Sequence, residues 1–210
     1  MAAVIPHHLL ASDLIEEVFS QLQCHNDVPL IIISPDHYQQ LKKAQLYLTN
    51  HDGKELFSIF PAKYQKMSEF NQAKVVNEHG YAGLLPIINK FCPKVSVYPI
   101  IINHRSQLAP IYRQLGRKLA SLSPLYLIIS SDFSHHGNLI ETEKNDILSL
   151  HGLQSQQYEQ IINDCLNCWE FLLGYFQGPP NFHFQNHRNS YHYGGESENI
   201  TSYITGFFTK

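Results

Sequence analysis

The chain has 210 residues, with 15 Lys and Arg against 18 Asp and Glu, a formal net charge of -3, and no basic cluster denser than Lys42-Lys43 or Arg117-Lys118. That balance leaves nucleic-acid binding without an electrostatic footprint. No run of about 18 apolar residues exists and the start lacks the basic and apolar regions of a signal peptide, so no membrane partner is expected and the expected location is cytoplasmic. The length suits one α/β domain over 1–210, burying roughly 70% of its unfolded surface. The four cysteines, Cys24, Cys92, Cys165 and Cys168, are few and unevenly placed for a disulfide framework, and reduced thiols are expected.

In chain order, Ala2-Ala3-Val4-Ile5 reads as a short strand. Ser12 is placed to cap a helix over Asp13 to Gln23, with Leu14, Ile15, Val18, Phe19 and Leu22 at helical spacing. The strand Val28 to Ser34 is apolar throughout and reads as buried on both faces. His51-Asp52-Gly53, flanked by apolar runs, predicts an inserted hairpin. A helix from Pro61 to about Gln72, a short strand at Lys74 to Val76 and a helix over Ala82 to Phe91 follow. Val95 to Asn103 is the third long strand, and the helix Gln107 to Leu122 tolerates Pro110 in its first turn. Strand Tyr126 to Ser130 then runs into the polar loop Asp132-Phe133-Ser134-His135-His136-Gly137. Beyond it, Glu141 to Leu150, Gln156 to Asn163 and Trp169 to Phe176 read as helices, the last stopped by Gly178-Pro179-Pro180. Ile200 to Phe208 reads as a closing strand. The alternation predicts a mostly parallel sheet with helices on both faces.

Four histidines, His7, His37, His104 and His135, sit just past these apolar runs. Neighbouring parallel strands would gather them at the carboxyl edge of the sheet, where open α/β sheets bind ligands. A single histidine is more often structural, but joint placement after successive strands favours a site. Neutral imidazole ligates iron, copper, nickel or zinc, and two such groups with one anionic side chain leave coordination positions open. In the polar loop, Asp132 is suited to fix a histidine tautomer and His135 to act as a general base, while His136 is expected at the surface. Glu78-His79 is a further candidate pair, with a helix-start carboxylate as the competing role. Cys165 and Cys168 have no second pair to complete a structural zinc site; one of them can join the histidines as a soft ligand while the other packs as a small apolar residue. The helix there is expected to begin near Cys168, leaving Cys165 in the preceding turn. His183, His187 and His192 read as surface or packing residues.

Five segments resemble, in order, signature segments of the Memo family, also called AmmeMemoRadiSam system protein B. They are Ile5-Pro6-His7-His8-Leu9-Leu10-Ala11-Ser12, Ser34-Pro35-Asp36-His37, Glu78-His79-Gly80-Tyr81-Ala82-Gly83-Leu84-Leu85-Pro86, Ser130-Ser131-Asp132-Phe133-Ser134-His135-His136-Gly137 and Ser202-Tyr203-Ile204-Thr205-Gly206, covering about residues 3 to 207. The resemblance implies a three-layer αβα fold with a mostly parallel or mixed central sheet, related to LigB-type class III extradiol dioxygenases. In those enzymes two histidines and a carboxylate hold ferrous iron and a further histidine acts as acid and base. Carried over by position, His7 and His37 are metal ligands, and Cys165, with Cys168 as fallback, is the thiolate that Memo proteins have in place of the carboxylate. His135 and Asp132 are the catalytic pair, with His8, Glu78, His79 and Ser131 on the substrate side. An acidic residue common after the family's Glu-His pair is Ala82 here. The implied function is iron or copper redox chemistry or metal handling on an unknown small molecule, alongside a radical SAM protein and an AMMECR-type protein. Extradiol opening of a catechol-like ring and a non-catalytic, peptide-binding scaffold are the alternatives.

Overall fold

The computed structural model describes residues 1–38, 46–48, 68–70, 77–103, 108–122 and 124–210. The strands are β1 (Ala2–Ile5), β2 (Leu30–Pro35), β3 (Leu46–Leu48), β4 (Ser68–Phe70), β5 (Val97–Ile102), β6 (Tyr126–Ser130), β7 (Asn181–Asn189) and β8 (Ser202–Thr209). The helices are α1 (Ser12–Gln21), α2 (His79–Ala82), α3 (Leu85–Phe91), α4 (Ala109–Ala120), α5 (Leu139–Gln154) and α6 (Leu166–Phe176). The hairpin expected at 51–53, the strand expected at 74–76 and His104 lie outside the described residues. So does the helix expected from Pro61 to Gln72, except Ser68–Phe70, which is a strand rather than helical.

The strands form one mixed sheet in the order β4-β3-β5-β2-β6-β1-β8-β7. β5, β2, β6 and β1 run parallel, and β8 closes antiparallel on β1 with β7 beyond it. Successive residues of the parallel strands feed opposite cores, as strand pleating requires. Val4, Ile31, Ile33, Leu127 and Ile129 pack on one side with α4 and α6, while Ile5, Leu30, Ile32, Tyr126 and Ile128 pack on the other with α1 and α3. The architecture is therefore three-layer αβα. The carboxyl ends of β1, β2 and β6 lie side by side, and that places residues 6–8, 36–37 and 131–135 together.

Several local expectations change. Ser12 is the first residue of α1, and the capping position is Ala11 with no side-chain hydrogen bond. The segment from Gln156 to Asn163 is not a helix: α5 ends at Gln154, Gln156 takes a positive φ of 63°, and Gln157 N–H donates back to Gly152 O, leaving one tight turn at Tyr158–Gln160. The cysteines are not free thiols. Cys24 and Cys92, at the ends of packed helices α1 and α3, are joined with Cα atoms 5.5 Å apart, and Cys165 is joined to Cys168. Among the described residues no helix is long and apolar enough to cross a membrane.

Candidate metal centre

His7 leaves β1 after Pro6 and is buried, with its backbone N–H donating to Asp132 Oδ1 at 3.1 Å. Its Nδ1 lies 3.3 Å from Ser130 Oγ. The Ser130 hydroxyl hydrogen is already committed to Gly80 O at 2.6 Å, so this oxygen can only accept from His7. Nδ1 of His7 therefore carries a proton, and Nε2 faces the cluster. His37, past the end of β2, is fixed in the same sense: its Nδ1 donates to Glu78 Oε1 at 2.5 Å, a carboxylate that can only accept.

Both Nε2 atoms converge on one carboxylate oxygen. Asp164 Oδ2 is 3.2 Å from His7 Nε2 and 3.3 Å from His37 Nε2. Ligand atoms bonded to one ion at about 2.1 Å stand roughly 3.0–3.4 Å apart, and both of these imidazole–carboxylate separations fall in that range. The other oxygen of Asp164 is held from behind, accepting the Ser131 hydroxyl at 2.8 Å, and Ser131 Oγ accepts from Asn163 Nδ2 at 2.9 Å. All three groups thus have an outer partner of the kind that orients metal ligands. Asp132 Oδ2 is 3.5 Å from His7 Nε2, and His135 Nε2 is 3.8 Å from Asp164 Oδ2. Two ligand groupings emerge, His7 with His37 and His79, and His7 with Asp132 and Asp164.

Charge follows from this packing. Burial opposes protonation of His7 and His37, yet Asp132 and Asp164 raise the first, and hydrogen bonds to Asp164 and Glu78 raise the second to about 9. Burial likewise opposes the charge on Asp164, but the imidazoles of His7, His135 and His37 hold it well below the usual carboxylate range. His79 moves the other way, to about 4, through burial and the neighbouring positive charges of His37 and His7. The raised values mean that these imidazoles hold a second proton more readily than a free one, and a cation would compete with it for the Nε2 atoms.

The expected site residues divide. His7 and His37 come together, with Asp132 and His135 beside them. Cys165 does not: it packs in the core on the α4 and α6 side, bonded to Cys168, and it caps α6, which begins at Leu166 instead of near Cys168. The carboxylate that the two histidines meet is its neighbour Asp164, which sequence reasoning missed. An acid beside the expected ligand was the available signal, since the dioxygenase pattern requires a carboxylate. Glu78 and Ser131, expected on the substrate side, are orienting groups behind His37 and Asp164, and Glu78 also caps α2. His79 lies against His37, ring centroids 3.8 Å apart, and His8 pairs through Nδ1 with Tyr203 Oη at 2.5 Å. His8, Leu9, His79, Gly83, His135 and Thr201 border a cavity of about 420 Å³ whose floor is His7, His37 and Asp132. His136 turns outward at a positive φ and pairs with Asn199.

No protein-family model and no curated protein matches this chain. Among solved structures, the chain is similar to an uncharacterized protein, JW3007, from Escherichia coli K12, with a TM-score of 0.56 at 13% identity over 97% of this chain and 98% of that one. That likeness concerns the fold.

Proposed function

We propose that the chain works through a redox-active ion, ferrous iron in first place, held by His7, His37 and Asp164, and acts on a small molecule in the cavity above them. The observation that carries this reading is the convergence of two imidazole Nε2 atoms on one carboxylate oxygen, each group fixed from behind by Ser130, Glu78 or Ser131. Two histidines and one carboxylate are the ligand set of non-haem Fe(II) oxygenases, and such an ion supplies Lewis acidity and one-electron chemistry.

The chain's own residues supply the rest. Glu78 keeps the proton of His37 on Nδ1, so that Nε2 is the donor atom. Asp132 adds negative charge next to His7, favouring a cation there. His135, part-exposed at the cavity edge, is placed to take a proton from a bound substrate or return it. With a carboxylate in place of a thiolate, iron is favoured over copper(I), which prefers soft sulfur. Extradiol chemistry on a catechol-like ring then ranks above metal handling. The Memo-like segments carry the same histidines, and the radical SAM and AMMECR-type partners implied by them belong to this reading as proposals.

Anaerobic loading with Fe(II) or Cu(I), followed by oxygen uptake with a catechol panel, tests it. The expected result is stoichiometric Fe(II) binding and uptake with at least one catechol, lost in His135→Ala while iron is retained. Absence of Fe(II) binding, or parent-like uptake in His7→Ala with His37→Ala, contradicts it.

A further inference from the structure

Helix α5 is inverted relative to an ordinary surface helix. Ile140 and Ile147 stand in solvent, 80% and 68% exposed, while Thr142, Asp146 and Ser149 are buried. Burying a carboxylate works against folding unless its oxygens are fully partnered, and those of Asp146 are. Oδ1 accepts the hydroxyls of Ser134 at 2.8 Å and Ser202 at 2.5 Å, and Oδ2 faces His187 Nε2 at 2.7 Å. These partners come from the loop after β6, from the first residue of β8 and from β7. Having given its proton to Asp146, Ser202 Oγ accepts from Ser134 N–H at 3.0 Å. The backbone closes the clamp: Phe133 N–H donates to Ser202 O and Ser202 N–H to Ser134 O, both at 2.9 Å. Asp132 precedes the clamped pair and His135 follows it. Thr201, next to Ser202, places Oγ1 3.4 Å from His135 Nδ1.

We propose that Asp146 is the positioning residue of the metal centre: through Ser134 and Ser202 it fixes the loop so that Asp132 meets His7 and His135 meets Asp164, and His187 ties that carboxylate to the edge strand. The proposal rests on the metal reading above for what the loop is aimed at. None of the three partners of Asp146 is a ligand, so its loss acts first on the places of His135 and Asp132 and only indirectly on the grip on the ion.

Asp146→Asn and Ser202→Ala, each first checked for folding by circular dichroism, are compared with the parent using Co(II) alone as probe. Paramagnetic Co(II) shifts nearby nuclei according to distance and angle, so the His135 ring protons report where the imidazole sits. Both variants should bind Co(II) within about threefold of the parent, because outer residues that do not touch the ligands lack the 10–100-fold effect of direct orienting partners. The Co(II)-induced shift of the His135 ring should be lost. Amide exchange at Phe133 and Ser134 should quicken by about tenfold relative to β6, as expected for a local opening. Parent-like His135 shifts and parent-like protection in a folded variant overturn the proposal. A parent that binds no Co(II) defeats the metal reading alone, and exchange at Phe133 and Ser134 then decides the positioning claim: fast exchange supports it and parent-like exchange overturns it. If Asp146→Asn does not fold, Ser202→Ala and Ser134→Ala, each removing one hydroxyl, decide it by the same two outcomes.

Discussion

Asp164 and Cys165 are adjacent in sequence and opposite in fate. The turn before α6 sends the carboxylate toward His7 and His37 and the sulfur into the core, where it meets Cys168. Asp164→Asn should weaken Fe(II) or Co(II) binding by more than the roughly 10–100-fold typical of losing an outer partner, whereas Cys165→Ser should leave affinity near that of the parent and lower the unfolding temperature. Calorimetric titration and thermal melts separate the two. Glu78→Gln, which keeps an accepting oxygen but removes the negative charge behind His37, should cost up to the roughly 10–100-fold range itself. The pH dependence follows from His37, whose pKa is raised to about 9. A raised folded-state value means that the stability contributed by this proton is fully present below about 6.5 and is lost as pH rises through about 9. A cation competes for the same Nε2, so metal affinity should climb over that window and level off above it. Titrations at several pH values check this. The histidines were legible because each follows an apolar strand. Asp164 was not, because it follows no strand and nothing local distinguishes it from any loop acid.

At the scale of elements, hydrophobic periodicity found α1, α4 and the buried strands within a few residues, since each presents apolar side chains to a core. It also found α5, over Glu141 to Leu150 of Leu139–Gln154, but gave no sign that this helix turns Thr142, Asp146 and Ser149 inward, where polar partners replace packing. Ile147→Lys should therefore change stability by less than about 0.5 kcal/mol, the range of ordinary surface substitutions, as read from the urea midpoint. The crossing of α4 and α6 has the opposite sensitivity. A Cβ on Gly174 would come within 2.0 Å of Arg113 O, and one on Gly116 within 2.1 Å of Phe171 O. Backbone atoms cannot swing aside, so Gly174→Ala should cost about 1–3 kcal/mol or more by the same measurement. Neither glycine stood out in the sequence, since their role depends on which helices meet.

Across the whole molecule, the αβα layering and the parallel centre were readable from strand and helix alternation, and both sides of the sheet departed from it: β3 pairs antiparallel with β5, and β8 with β1 and β7. The parallel order of β2, β6 and β1 is what turns three separate sequence segments into one rim, with Asp164 brought to it from the segment ahead of α6. Asp164 N–H donates to Asp132 O at 3.1 Å, so the backbone itself ties that segment to the loop after β6. The most direct test is anaerobic Fe(II) titration of the parent beside Asp164→Asn and the double variant Cys165→Ser with Cys168→Ser. Stoichiometric binding in the parent and the serine variant, with loss in Asp164→Asn, is the predicted result; loss in the serine variant with retention in Asp164→Asn would contradict the assignment.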